Sequence, residues 1–420
     1  MPLTVEEDKA YEGIDSAMTI EKAFKPSGFL AGLVEIDDGS DKDDSTKSAF
    51  WKFMDHIDLQ IWYNRVDALH AGLKPNFDLT KRIKLNFLGA YNTGSKKWAY
   101  GGGAAISFLK NKNLTAGISY EANTEAQFSS IYPVWLTSVL PLFAKDDYFD
   151  YYWREHFRTD FVYKCSKADL TMTAGFNHER HSSLIKTTDW NILGKTYIQR
   201  ENPQITPGIL RSAELKIAWE KERTPMGAVG NRYAEFTIER SADEFLQSDY
   251  NFTRYEGTIE WRLKTFLRRR LMMPNVLDVK IIGGYSAGNL PVQRFGGLDG
   301  NLYAFSPFGV FRTLNGKALR SDKYAALFWE HNFRTAPFEL LGIKYLAKKG
   351  IGLILHGAHG RTWIDEDKAK DYPSWYPDSQ KELHEIGLSV NSIFGFGRVD
   401  FTRRIDRKAF YVGFSFARMF

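Results

Sequence analysis

A single cysteine, Cys165, stands among 420 residues. That excludes an internal disulfide and any zinc site built on cysteines. Long apolar runs are also missing. The longest mostly apolar stretch, Tyr132–Ala144, is broken by proline and threonine and falls short of the ~18–20 residues a membrane-spanning helix requires. Proline is sparse, at 14 residues. So is charge of one sign: 56 Lys and Arg against 51 Asp and Glu leave a net charge of +5, too little in a chain this long to argue for nucleic acid as a partner. After Met1 come Pro2-Leu3-Thr4-Val5-Glu6-Glu7-Asp8, which have neither the basic start nor the apolar centre of a secretory signal.

What the chain has in abundance is aromatic residues and glycine: 31 Phe, 21 Tyr and 11 Trp beside 34 Gly. The aromatic content excludes disorder. Together with the missing apolar runs it fits a transmembrane β-barrel, in which only every second residue faces lipid. From Ile57 to the last residue the dominant period is two. In Thr253–Thr265 the odd positions are Thr253, Tyr255, Gly257, Ile259, Trp261, Leu263 and Thr265, whereas the even ones are Arg254, Glu256, Thr258, Glu260, Arg262 and Lys264. A helix would scatter those charges around its circumference; a strand gathers them on one face. Leu215, Ile217 and Trp219 oppose Glu214, Lys216 and Glu220 in the same way, and Val399 and Phe401 oppose Arg398, Asp400, Thr402 and Arg404. At the end, Phe410, Val412, Phe414, Phe416 and Phe420 share one face, with Gly413, Ser415 and Ala417 on the other.

A soluble sandwich or propeller also alternates. Here small and charged residues fill the second face in strand after strand, and the strands run to roughly 9–14 residues, a bilayer-crossing length, against about 5–6 in soluble sheets. The predicted fold is therefore all-β: a transmembrane antiparallel β-barrel spanning 51–420, preceded by a short N-terminal periplasmic segment over 1–50. That segment reads as a helix from about Glu6 to Phe24 and an acidic loop from Glu35 to Asp44. Sixteen strands, at roughly 23 residues for each strand and its turn, satisfy the even number usual in bacterial barrels; fourteen is the alternative. An outer-membrane barrel has to be exported, so the expectation is that this chain derives from a longer precursor.

The lumen-facing charges Arg254, Glu256, Glu260, Arg262, Arg398, Asp400 and Arg404, with Glu214, Lys216, Glu235, Glu239 and Lys264, are of mixed sign, which predicts cross-strand ion pairs rather than a one-sign ion filter. His181 and Ser183, two apart on a strand, have the spacing of a His–Ser hydrolase pair, but they read as a polar strand end passing into a loop. His178 and His181 are spaced for a helix, not a strand, and give no metal site. No catalytic, cofactor or metal residue is assigned. Trp51, Trp98, Trp153, Trp363 and Trp375 fall near strand ends, where they suit interfacial girdles.

The terminus Phe410–Phe420 resembles the C-terminal strand signal of outer-membrane barrels, which ends in Phe. Tyr63–Leu73, containing Asn64 and Arg65, resembles the opening strand of the BamA-like superfamily, barrels that insert or secrete proteins. Gln293-Arg294-Phe295-Gly296-Gly297 resembles the entry to that superfamily's long loop, which folds back into the barrel. Leu314–Tyr324, Trp329–Phe333 and Gly397–Phe401 resemble a BamA-like family whose full-length members carry a carboxypeptidase-regulatory-like β-domain before the barrel. Leu3–Glu7 with Asp15-Ser16 resembles that family's segment just ahead of the barrel.

The resemblance covers nearly the whole chain, and it implies an outer membrane of a diderm bacterium as the location. It also implies non-enzymatic insertion or translocation of protein or lipid-linked cargo. The implied partners are outer-membrane lipid and other outer-membrane or periplasmic proteins, with no nucleic acid, and the barrel would be monomeric, alone or in a hetero-complex. It further implies a seam where the first strand, around Asp58–Phe77, meets the last, Ala409–Phe420, with Asn64, Arg65, Phe414, Phe416 and Phe420 as seam residues. A strand edge left open in hydrocarbon is costly, so a weak seam would offer a template to an incoming strand. One feature departs from the family pattern. The superfamily's Arg-Gly-aromatic loop tip is absent between Arg294 and Asp322, which leaves Arg312 and Arg320 as substitutes in a loop that also holds Arg294, Phe295, Gly296 and Gly297. Two readings from other classes stand beside insertion: a passive or gated solute pore, and a scaffold barrel that docks partner proteins.

Overall fold

A computed structural model describes residues 56–108, 113–222, 232–265, 275–303, 305–364 and 381–417. The 1–50 segment, Trp51, Trp375 and Phe420 lie outside the described residues. The strands are β1 (Ile57–Asn64), β2 (Ala68–Asp78), β3 (Ile83–Asn92), β4 (Lys97–Phe108), β5 (Leu114–Ala126), β6 (Tyr151–Cys165), β7 (Leu170–Ser183), β8 (Gly208–Glu222), β9 (Arg232–Ser241), β10 (Phe252–Lys264) and β11 (Val276–Gly288). Four short ones follow inside a single connection, β12 (Gly296–Leu298), β13 (Gly300–Asn301), β14 (Phe311–Asn315) and β15 (Leu319–Ser321). The series ends with β16 (Lys323–Arg334), β17 (Gly352–Trp363), β18 (Lys381–Ile393), β19 (Gly397–Arg404) and β20 (Phe410–Phe416).

Leaving out the four short strands, these form one sixteen-stranded antiparallel sheet in which each strand pairs with the next in the chain. The expected fold class and strand number are borne out. β10 shows how the alternation works: Tyr255, Ile259, Trp261 and Leu263 point outward and are exposed, while Glu260 is buried on the other face. On β20, Phe410, Val412, Phe414 and Phe416 are all exposed, and Ser415 is buried, as is Ala417 just beyond the strand. Apolar outside and polar inside is the inverse of a soluble barrel and suits a lipid surround.

The stretch expected as one opening strand, Asp58–Phe77, is in fact a hairpin, β1 and β2 joined at 65–67. The Asn64 side chain makes the turn: its Oδ1 accepts the amides of Val66 at 2.8 Å and Asp67 at 2.6 Å. Asn64 therefore ends a strand, and Arg65 sits in a turn rather than along the seam. Of the expected aromatic girdle, Trp98 is exposed, but Trp153 is buried with the Lys97 ammonium 4.5 Å from its ring centroid.

Sixteen is even, so the start of β1 and the end of β20 lie at one rim. At that rim the reversals include 79–82, 166–169 and 394–396; the long connections 127–150, 184–207 and 289–322 gather at the other. The asymmetry is that of outer-membrane barrels, with short periplasmic turns and long external loops. The sheet has two free edges: β1 and β20 are its ends and are not paired with each other among the described residues.

Candidate functional site: a loop-filled lumen beside an open seam

The connection 289–322 runs back inside the sheet. β12 pairs with β15, and β13 with β14, so the loop carries its own backbone hydrogen bonds into the interior. It touches β7, β9, β10, β16, β18 and β19 through their inner faces and meets β20 at its free edge. One loop can do this only if the sheet curves around it. Three clusters of side chains hold it there.

The first cluster holds the loop's entry. Gln293 donates its amide to Nδ1 of His181 at 3.1 Å and to the carbonyl of Thr206 at 2.8 Å. His181 Nε2 meets Glu179 at 2.7 Å, so the ring is a neutral tautomer with its proton on Nε2. The neighbouring Arg294 donates to Glu239 and lies 3.7 Å from Glu179, and its own carbonyl accepts Arg254 at 3.1 Å. Phe295 is buried beside Tyr152, Leu210, Tyr250 and Phe252. Gly296 and Gly297 pair with Ser321 and Arg320, and a Cβ at Gly296 would collide with the Tyr324 ring at 2.0 Å.

The second cluster is a buried ion network around Arg312. Its guanidinium donates to Glu330 of β16 at 2.6 Å and lies 3.6 Å from Asp400 of β19. Arg398 binds the same two carboxylates, Glu330 at 2.8 and 2.9 Å and Asp400 at 2.7 Å. Two arginines and two carboxylates balance. Glu385 of β18 accepts the amides of Arg312 at 2.8 Å and Thr313 at 3.0 Å. Asp400 also accepts Ser389 at 2.6 Å and Ser415 of β20 at 3.1 Å, which ties the network to the last strand.

The third cluster joins the loop to the external connection 127–150. Arg320 donates to Gln127 at 2.8 Å and to the carbonyl of Val292 at 2.7 Å, and lies 3.4 Å from Asp150. Asp150 also binds Arg65 at 2.6 Å and Arg200. Burial works against its ionisation, but Arg200, Arg65 and Arg320 together hold the carboxyl below its ordinary value. At neighbouring Asp147, also paired with Arg65, burial wins and the carboxyl is pushed up. Asp299 accepts Ser130 at 2.7 Å, Tyr148 at 2.8 Å and the Ile131 amide at 2.9 Å, fastening the loop a second time.

Between loop and wall a space of about 880 Å³ remains, lined by charges of both signs that include Glu125, Arg154, Glu235, Arg254, Glu256, Glu260, Lys280 and Arg294. Most of the predicted lumen charges are paired: Arg254 with Glu239 at 3.1 Å, Arg262 with Asp278 at 2.8 Å, Arg158 with Glu214 at 2.9 Å, Lys216 with Glu235 at 2.9 Å, and Arg404 with Asp406. His181 and Ser183 do not form a hydrolase pair. His181 is locked between Glu179 and Gln293, while the Ser183 hydroxyl accepts the Ile205 amide at 3.2 Å.

At the seam each free edge has a substitute partner. Phe305 of the long loop makes a parallel bridge with Phe414 of β20. The Ser306 amide donates to the Phe414 carbonyl at 3.1 Å, and its hydroxyl meets that of Tyr411 at 2.9 Å. The Phe305 ring packs edge-on against Phe416, 5.4 Å between centroids. On the other side, two one-turn helices, α1 (Val134–Thr137) and α2 (Val139–Leu142), lie against β1, and the Tyr63 amide donates to Ser138 between them at 3.2 Å.

Of the receptor residues, Glu179, Glu330, Glu385 and Asp150 are not among those singled out from the sequence, and His181 figures there only as half of a hydrolase or metal pair. Glu330 sits inside the Trp329–Phe333 motif, and Glu179 and His181 are two apart on one strand face; those were the available signals.

No family profile matches the sequence and no curated protein does. Among solved structures the chain is similar to BamA from Haemophilus ducreyi lacking POTRA domains 1–3, with 13% identity over 85% of this chain and 68% of that one and a TM-score of 0.46. It is similar also to CdiB from Escherichia coli, at 11% identity, 85% and 61% coverage and a TM-score of 0.44. CdiB from Acinetobacter baumannii matches at 10% identity, 86% and 59% coverage and 0.42. The chain thus spans about three fifths of each CdiB chain. The architecture is read from the chain's own sixteen strands.

Proposed function

We propose that this chain is a BamA-like barrel of a diderm outer membrane that assists insertion or translocation of protein or lipid-linked cargo, with no chemistry of its own. The observation that carries the reading is the seam. Among the described residues, two strand edges that would be costly to leave bare in hydrocarbon are unpaired with each other, and each is covered instead by a segment of an external connection. An incoming strand would find at β20 a row of backbone groups and, outside it, the aromatic rank Phe410, Phe414 and Phe416. The loop receptors hold the lumen filled while the seam opens sideways. A carboxypeptidase-regulatory-like domain ahead of the barrel, implied by the sequence resemblance, would supply contact with periplasmic proteins.

The test is a cross-link. In a Cys165→Ser background, paired cysteines on β1 and β20 are oxidised to lock the seam, and the barrel is placed in proteoliposomes with a denatured outer-membrane protein. Reduced barrels should speed its insertion and oxidised ones should not. Equal rates in both states, or no acceleration in either, would remove the reading.

A further inference from the structure

On the outer side of the seam, the first hairpin and the helices α1 and α2 enclose a groove of about 640 Å³. That volume falls within the ~300–1,000 Å³ of small-molecule sites. Its floor is Ile61 of β1 and Leu69 of β2, both on the outward face of the sheet. Trp135, Val139 and Leu142 of the helical segment and Trp190 of the next external connection form the walls. We propose that this groove is a binding site for one acyl chain of a membrane lipid, held beside the free edge of β1.

Three observations lead there. No charged side chain lines the groove, and its three wall hydroxyls are already engaged: Thr93 accepts the Leu69 amide at 3.1 Å, Ser138 the Tyr63 amide at 3.2 Å, and Thr188 the Trp190 amide at 3.1 Å. With no charge to meet a phosphate and a lining made mostly of aliphatic and indole surface, the occupant is recognised chiefly by apolar contact. Next, the floor continues the lipid-facing surface, since Leu59 and Ile61 on β1 and Leu69 and Leu73 on β2 are all exposed on the same face. The groove therefore opens onto hydrocarbon rather than water. Finally, both walls are tied to Tyr63 of β1, whose hydroxyl donates to the Trp190 carbonyl at 2.8 Å and whose amide donates to Ser138 at 3.2 Å, so the cavity is built into the fold. The site rests on the membrane location of the barrel and not on its cargo. It would place a lipid chain beside the edge of β1 that, among the described residues, has no strand partner, adding to the cover that α1 and α2 give it.

The experiment uses the full chain in vesicles of phosphatidylethanolamine and phosphatidylglycerol, doped with a phospholipid that carries a diazirine near the end of one acyl chain. After irradiation, peptide mapping locates the adducts. The expected result is labelling concentrated on 134–142 and 188–190 above that of the outward face of β9 and β10, which serves as the internal standard. Val139→Trp, or Leu142→Phe should the first fail to fold, fills the groove and should lower labelling there about fivefold with the standard unchanged. Even labelling of all outward faces, or groove labelling insensitive to both variants, would overturn the site. Absence of labelling on β9 and β10 as well would instead overturn the membrane location, and the site with it.

Discussion

Arg312 and Arg398 share Glu330 and Asp400 so evenly that removing one charge unbalances the rest. Breaking a buried pair by deleting a single partner costs about 3–5 kcal/mol, because the survivor stays buried and uncompensated. Glu330→Gln should therefore lower stability by about that much in a urea titration of the folded barrel. Adding Arg312→Met removes one charge of the other sign, so the double variant should be more stable than the sum of the two single losses predicts, a coupling the double-mutant cycle measures directly. Asp150 makes a prediction in pH. Its folded pKa lies below the ordinary 3.8, so its contribution is present above that value and is lost as pH falls through the lower folded value. Asp147, raised by burial, has the opposite sign: its contribution is full below 3.8 and declines as pH rises through its folded pKa. Asp150→Asn should lower stability at neutral pH and flatten the acid limb of the unfolding curve followed by near-ultraviolet circular dichroism, whereas Asp147→Asn should leave neutral stability nearly unchanged.

Among the elements, the strands are the part most legible in the sequence, since period two needs only nearest neighbours to be read. The same face rule predicts mutational cost. Ile259→Arg on the outer face of β10 should cost about 2–4 kcal/mol in refolding titrations if it lies near mid-bilayer, while Thr258→Arg next to it, facing the lumen space, should cost little. The first turn was illegible for a definite reason. Asn64-Arg65-Val66-Asp67 contains no glycine or proline; the reversal rests on one asparagine side chain and on Ala68 at φ +52°, a conformation that usually selects glycine. The seam bridge is equally invisible in sequence, as it joins Phe305 to a strand more than a hundred residues later. Phe305→Ser should remove the ring packing on Phe416 and speed hydrogen exchange at the Ser306 amide about tenfold, the change expected for ~1.4 kcal/mol of lost local stability.

For the whole molecule the question is whether the filled lumen conducts. The loop, its clusters and the paired wall charges leave a confined space of both signs, so the intact barrel in a planar bilayer should show low, flickering conductance. Deleting 294–320 should convert this to a large steady one. A large conductance in the intact protein would favour a solute pore instead. The sequence located the loop and its arginines but not their receptors, because Arg320 and Gln127 lie 193 residues apart and no local pattern encodes such a meeting.

That separation has a consequence in time. The long loop finds its anchors on strands from β7 through β20 and on the connection 127–150, so no early portion of the chain contains a finished receptor for it. Contacts this distant in sequence are made late and slowly. A chain emerging from its N-terminus would complete fifteen of its sixteen wall strands while the last anchor of its own plug was still missing. Wall and filling therefore reach completion together, and a barrel caught before its last strand lacks both that strand and the anchors it gives the plug.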